Sequence, residues 1–427
     1  MKEKLIKFSK KPFVRNVILL ASGTAMAQVI AMILSPIITR LYGPEAFGLM
    51  GTFMAVVSIV APIAALTYPI AIVLPKRDQD AKGLIRLSLV ITTIVSIISL
   101  VILLLFNKQI INIFNIKEIE IYLYLIPLII IFSGLMQVAE QWLIRTKQFS
   151  INARVTVLQS IVINGSKVGI GLFYPIAAVL VVLSALANGL KAALMIFFAK
   201  RSNYEENKQF KDEKTGLKGL AKAHNDFPKY RAPEVFINSV SQNLPVLMLT
   251  AFFGPASAGF YAIGRTVLRV PSTLIGNAVG DVFYPRIAQA ATNKEDLTAI
   301  IKKGTLALAG VGIFPYGLII LFGPFLFSFV FGSDWVTAGE YARWIALGSY
   351  FGFINKPSVK SLPVLSAQRF QLIYTIFMLL TRIGVLAIGF YVFASDQVAV
   401  ALFGLSGAVL NIGLITITLK ISRKKMI

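Results

Sequence analysis

The stretch Arg40–Gly51 returns, almost half a chain length later, as Ala251–Ala262, and each copy closes one apolar run and opens the next. A weaker echo with a similar offset links Ser166-Lys167-Val168-Gly169 to Thr381-Arg382-Ile383-Gly384. A chain repeated in this way is expected to fold as two related halves. In a hydrophobic chain that pattern points to a secondary transporter, whose two bundles rock about a site on the pseudo-axis between them.

The apolar runs have the length of about 20 residues that crosses a hydrocarbon core. Twelve follow one another, at 16–39, 46–74, 85–106, 121–144, 153–173, 176–199, 233–253, 258–284, 300–331, 339–355, 369–393 and 397–419. The ninth is long and is expected to break near Pro315 or Gly323-Pro324. The polar stretch 200–231 is the longest segment between runs. It reads as a cytoplasmic linker between an N-terminal six-helix bundle, 1–199, and a C-terminal one, 232–427. With 56% hydrophobic and 14% charged residues and a mean hydropathy of +0.76, this chain of 427 residues belongs in a bilayer. The fold class expected is therefore an all-α integral membrane protein of twelve spanning helices. The basic N-terminus with Ala25-Met26-Ala27 imitates a signal peptide, but the apolar run continues to Ile38, so it is read as a retained first span.

Lysines and arginines sort by loop. They crowd the N-terminal side, the second, fourth, sixth, eighth and tenth loops and the tail, whereas the alternate loops hold only Arg40, Lys108 and Lys117. Such bias predicts cytoplasmic termini and an even number of spans. Two even halves run parallel, with both Gly-Pro turns outside. The net charge of +23 is thus a topology signal with some attraction for anionic lipid, and nucleic acid is not expected as a partner.

Several classes of chemistry fall away. The chain has no cysteine, which removes disulfides, thiolate metal sites and cysteine catalysis, and its one histidine, His224, lies in a polar loop. Gly165-Ser166-Lys167 lacks the upstream glycine of a phosphate-binding loop. Paired carboxylates in a large outer loop, as a membrane glycosyltransferase or polymerase requires, are missing. No cofactor, metal or catalytic residue is expected, and the chain is read as a non-enzyme.

What remains is charge inside the runs. Arg265 and Arg269 are four apart and share a helix face. Counted from Ala258, Arg269 lies roughly 16 Å deep, near the middle of the core. Lys167 and Arg382, the repeat-related pair, are also mid-run. These four suit a cationic chamber, with internal ion pairs as the alternative. Arg265 also suits an outer-interface anchor, as do Arg343 beside Glu340 and Trp344, and Lys191 near an inner end. Glu234, Asp281 and Glu140 are candidates for coupling or for pairing with nearby cations. Glu234, Asn238 and Gln242 form one polar stripe on the seventh run, and Asn16, Thr24 and Gln28 a sparser one on the first. Each suits cavity lining or helix-to-helix glue. The Gly-x3-Gly spacings at Gly165/Gly169, Gly276/Gly280 and Gly348/Gly352 are expected to serve close packing inside the bundle.

A family resemblance gathers these pieces. Asn16-Val17-Ile18-Leu19-Leu20, Thr39 to Gly48 and Ala71-Ile72-Val73-Leu74-Pro75-Lys76 occur in order in the first half. Gln242-Asn243-Leu244-Pro245, Phe252-Phe253-Gly254-Pro255, Gly259-Phe260-Tyr261-Ala262, Arg265, Val282-Phe283-Tyr284-Pro285 and Phe331-Gly332-Ser333-Asp334-Trp335 follow in the second. The chain resembles the polysaccharide-export (Wzx-like) flippases of the MATE-related superfamily of multidrug, oligosaccharidyl-lipid and polysaccharide exporters. One departure is Thr67-Tyr68-Pro69, where members often carry a charged pair. The resemblance implies two six-helix bundles in a V shape and transfer of an undecaprenyl-pyrophosphate-linked oligosaccharide repeat unit across the bacterial inner membrane, with polysaccharide polymerase and assembly proteins as candidate partners. That cargo suits the residues, because a pyrophosphate needs Arg or Lys and sugars need polar walls. The alternative of a MATE-type exporter of small cationic drugs predicts acidic residues where this chain has basic ones.

Overall fold

A backbone surrounded by lipid must satisfy its own hydrogen bonds, and the apolar runs do so as helices. The computed structural model describes residues 12–114, 116–117, 120–202 and 216–424, except for the side chains of 12–21, 114, 277–278, 280–282 and 424. Among the described residues there is no strand.

The first helix, α1 (Pro12–Val60), turns sharply at Gly43, whose φ of 70° is left-handed, so it joins two of the apolar runs. It is followed by α2 (Asp78–Phe114), the short α3 (Glu120–Leu123), α4 (Ile126–Arg145), α5 (Phe149–Gly171), α6 (Ala177–Arg201) and α7 (Leu217–Ala223). Then come α8 (Ala232–Phe253), α9 (Pro255–Pro271), α10 (Asn277–Thr292), α11 (Leu297–Phe331), α12 (Val336–Ile354), α13 (Lys356–Ser361), α14 (Gln368–Tyr391) and α15 (Asp396–Lys424). Each of the expected runs contains helix, but the second, 46–74, leaves the α-helix at Val60 for 3-10 turns at Ala61–Ile63 and Tyr68–Val73. Eight helical segments among the described residues are long and apolar enough to cross a membrane: Ser22–Ile63, Asp78–Ile113, Glu120–Arg145, Ala177–Arg201, Phe227–Phe253, Leu297–Phe331, Gln368–Tyr391 and Asp396–Arg423. The chain is a multi-pass membrane protein. The helices α5, α9 and α12 fall outside that set: α9 has 17 residues, α5 carries Asn152, Arg154, Gln159, Asn164 and Lys167, and α12 carries Glu340 and Arg343.

Two compact units are present, Met1–Tyr42 with Leu49–Leu244, and Gly43–Gly48 with Pro245–Ile427. In the first, α4 packs between α2 and α6, and α5 lies on α6. Small residues bring the backbones close. A Cβ on Gly23 would lie 2.5 Å from that of Ala153, and the Ser160 hydroxyl donates to the Ala27 carbonyl at 2.8 Å. Phe53, Val57, Leu103, Ile130 and Val181 fill one core cluster. The later part of the polar 200–231 stretch docks here too. Leu220 is buried against Gly83, and the Tyr68 hydroxyl donates to the Ala221 carbonyl at 3.2 Å.

In the second unit α12 packs against α9, α11 and α15, and α14 against α15. Gly348 and Gly352 pack against Gly404 and Asn411 of α15, as their spacing predicts. Gly165 and Gly169 do not follow that expectation: a Cβ on either would meet nothing within 4 Å, so they face open space. The expected break in the ninth run is also absent. α11 is one helix of 35 residues through Pro315 and Pro324. Pro324 has no N–H to give the Ile320 carbonyl four residues back, and Arg343 Nε from α12 donates to it at 2.8 Å instead. Opposite prolines and glycines make that approach possible, since a Cβ on Gly323 would sit 2.6 Å from the Gly339 carbonyl oxygen.

The duplicated turns meet in this unit. Gly43 and Gly254 both adopt positive φ, 70° and 88°, and Pro44 and Pro255 open the helices that follow. A Cβ on Gly48 would lie 1.7 Å from the Pro255 carbonyl oxygen, and one on Gly259 would lie 2.1 Å from that of Pro44. Each copy therefore presents its glycine to the proline carbonyl of the other, the reciprocity of a two-fold contact. Trp335, 1% exposed, closes the cluster edge-on to Phe47 and Phe260.

Candidate functional site

Helix α9 is built to present cations. Ser257, Ala258, Tyr261, Gly264 and Leu268 recur at helical spacing and are buried. They lay the helix on α12, where Gly264 approaches Ala338 and Ala342. Arg265 is left half-buried and Arg269 exposed on the remaining face. Arg382 of α14 comes to the same place, with its guanidinium carbon 5.6 Å from the centre of the Phe403 ring. Phe403 in turn stands edge-on to buried Tyr261 at 5.9 Å. Arg265 is within range of the charges of both Arg269 and Arg382. Among the described residues no carboxylate lies within ion-pair distance of Arg265 or Arg269. Two guanidinium groups on a helix of a membrane protein, without a carboxylate partner among the described residues, offer a place for an anion or water.

Lys167, the fourth candidate, belongs to the first unit. Its ammonium reaches Met50 Sδ at 3.9 Å, and its backbone carbonyl accepts from the Tyr42 hydroxyl at 2.8 Å. Tyr42 is thus the residue of the first repeated turn that anchors α5, with its ring packed on Gly171. Gln28, also of the first unit, is half-buried on α1. Asn238 and Gln242 are exposed on α8, and the Gln242 amide donates to Asn238 Oδ1 at 3.2 Å, so the polar stripe bonds along its own helix.

The acidic candidates resolve differently. Glu234 pairs with Arg231 at 2.7 Å on an exposed surface. Glu140 accepts from the Asn152 amide at 3.3 Å and is not within ion-pair distance of Arg145. Arg145 turns instead to Asp78, 2.8 Å away, with both side chains about nine-tenths buried, and donates further to the Ile72 and Pro75 carbonyls. Helix α4 places Arg145 at its C-terminal end, where a cation also complements the helix dipole, so the nearby loop folds around it. The side chain of Asp281 lies outside the described residues.

Sequence reasoning missed Asp78, whose partner is distant in the chain, and Phe403, an unmarked residue in an apolar run. It also missed Asp396, which accepts from the Ser257 hydroxyl of α9 at 2.6 Å and ties α15 to the repeated turn. Arg343, read as an interface anchor, is exposed and also supplies the proton donor that α11 lacks.

A family model described as polysaccharide biosynthesis protein matches residues 37–340. No curated protein matches the chain in sequence. Among solved structures, it is similar to an inward-facing multidrug resistance MATE family transporter of the MOP superfamily, with TM-score 0.71, 14% identity and coverage of 96% of this chain and 98% of that one. The lipid II flippase MurJ in an inward closed conformation has TM-score 0.71 and 15% identity, over 94% of this chain and 87% of that one. A MOP superfamily transporter from Pyrococcus furiosus follows at TM-score 0.59 and 14% identity, over 96% and 95%. The fold is the one these transporters share.

Proposed function

The chain belongs to the polysaccharide biosynthesis protein family, and we propose that within it the protein is a flippase for a lipid-linked oligosaccharide. The cargo in this reading is a repeat unit on an undecaprenyl-pyrophosphate carrier, moved from the cytoplasmic to the outer leaflet of the bacterial inner membrane. Two parallel six-helix bundles, twelve spans in all, alternate access to it without ATP hydrolysis of their own, and both termini are cytoplasmic. The observation that carries the reading is Arg265 between Arg269, on its own helix face, and Arg382, which stands against Phe403 beside Tyr261, with no carboxylate partner for Arg265 or Arg269 among the described residues. A pyrophosphate supplies the missing negative charge, and planar guanidinium groups grip it through paired hydrogen bonds. A small cationic drug would be repelled from the same place. Arg382, Lys167, Gln28, Asn238 and Gln242 are the further substrate-binding candidates.

Glycan export tests this reading. Arg269→Ala should abolish export at normal membrane abundance, and Arg343→Ala should do much less. In purified protein titrated with undecaprenyl pyrophosphate, Arg269→Lys should weaken binding by roughly 1–2 kcal/mol, because the charge stays and the fork is lost. Arg269→Glu should be worse than Ala. Equal affinity across wild type, Lys and Glu variants would move the phosphate elsewhere, to Lys167 and Arg382 first.

A further inference from the structure

A pocket of about 330 Å³ opens in the second unit, between α11, α12 and the first turn of α15. Its two charges do not cancel each other. Glu340 and Arg343 are three apart on α12, yet no ion pair joins them among the described residues: Glu340 accepts from the Gln397 side-chain amide, and Arg343 sends Nε to the Ile320 carbonyl. One carboxylate oxygen of Glu340, the amide oxygen of Gln397 and both Nη groups of Arg343 therefore have no partner among the described residues. The lining is also ordered by depth. Gln397 is the second residue of α15 and marks the end of a helix long and apolar enough to span, and Glu340 is bonded to it there. Arg343 lies about 4–5 Å further in along α12, and Leu347 about 6 Å beyond that, where it forms the floor with Ile320. Trp344, exposed beside Arg343, forms one side.

We propose that this pocket seats the headgroup of a phospholipid with a primary amine, that of phosphatidylethanolamine. Such a lipid has the same order, with its ammonium at the surface, its phosphate below and its acyl chains deepest. Glu340 and Gln397 accept from the ammonium, the fork of Arg343 donates to the phosphate, and Leu347 with Ile320 covers the start of a chain. Charge and hydrogen bonding select against the other headgroups. Choline has no N–H to give the two acceptors, and a glycerol headgroup offers only neutral hydroxyls, which leave the charge of Glu340 uncompensated. A neutral sugar would use the polar rim but neither the separation of charge nor the apolar floor. The volume is at the lower end of small-ligand sites, which suits a headgroup. The inference rests on the pocket alone, whatever cargo the protein carries.

Native mass spectrometry of the purified full-length protein measures the first lipid bound, in separate titrations with phosphatidylethanolamine, phosphatidylglycerol and phosphatidylcholine of identical chains. Phosphatidylethanolamine should bind roughly tenfold more tightly than either of the others, the effect of one charge-assisted hydrogen bond. Glu340→Gln keeps the shape and removes the charge, so it should abolish the preference. Gln397→Leu, at an exposed position, should remove part of it. Glycerophosphoethanolamine should compete with the bound lipid, and methyl glucoside should not. Equal affinities for the three lipids in wild type overturn the proposal, as does a preference that either substitution leaves intact. Displacement of the lipid by methyl glucoside also overturns it, since the pocket would then be a sugar site.

Discussion

Arg145 and Asp78 tie the end of α4 to the start of α2 and the loop before it. The guanidinium serves one carboxylate and two backbone carbonyls at once, and both charged side chains are about nine-tenths buried. Removing the cation strands the rest. Arg145→Ala should therefore lower unfolding stability by about 3–5 kcal/mol, the cost of breaking a buried pair from one side. Asp78→Asn keeps an acceptor for the arginine and should cost less, so thermal unfolding in detergent should rank wild type above Asp78→Asn above Arg145→Ala. An order with Asp78→Asn lowest would mean that the carboxylate's charge outweighs the carbonyl contacts. Glu234 and Arg231 make the contrast, because their exposed pair contributes little whichever side is removed.

At the scale of elements, α11 and α12 hold each other through an atom that proline left idle. In wild type the Ile320 carbonyl has Arg343. In Pro324→Ala it regains a main-chain donor, and Arg343 becomes redundant. A double-mutant cycle on Pro324→Ala and Arg343→Ala, read by thermal unfolding, should return an interaction of about 1 kcal/mol, and additive effects would mean that water serves the carbonyl in the single variant. This pair also marks where the sequence was legible. The apolar runs announced their helices because lipid leaves the backbone no other way to bond, and the repeated Gly-Pro turns announced where one run ends and the next begins. Clustering of Arg265 with Arg269 was legible from a spacing of four. What escaped was every feature decided across the chain. Pro324 reads locally as a break, and only α12 cancels it. Glu140 stands near Arg145 in sequence, yet Asp78 takes the arginine because α4 ends beside the loop before α2. Gly165 and Gly169 have the spacing of a packing seam and no neighbour to pack against.

The whole molecule is governed by how its two halves share parts. Six residues of the first half, Gly43–Gly48, are built into the second unit, where each repeated glycine faces the other copy's proline carbonyl. Backbone carbonyls cannot step aside for a methyl group. Gly48→Ala and Gly259→Ala should each cut the yield of folded protein severely and to a similar degree, measured by fluorescence-detected gel filtration, whereas Gly165→Ala should pass unnoticed. Tolerance of Gly48→Ala alone would mean that the contact is not reciprocal. In the proposed orientation, reporters fused after Lys214 or at Ile427 should be cytoplasmic, and reporters at Pro255 or Ser333 external; an external Lys214 reporter would overturn that orientation and the proposed direction of transport. The shared turn also imposes an order in time. Pro44 and Gly48 leave the ribosome more than two hundred residues before Pro255 and Gly259 exist, which at roughly 5–20 residues per second is a wait of about 10–40 s. During synthesis the first turn waits without the neighbour it is shaped for, and a ribosome that stalls before the second copy leaves behind a half whose repeated turn has nowhere to go.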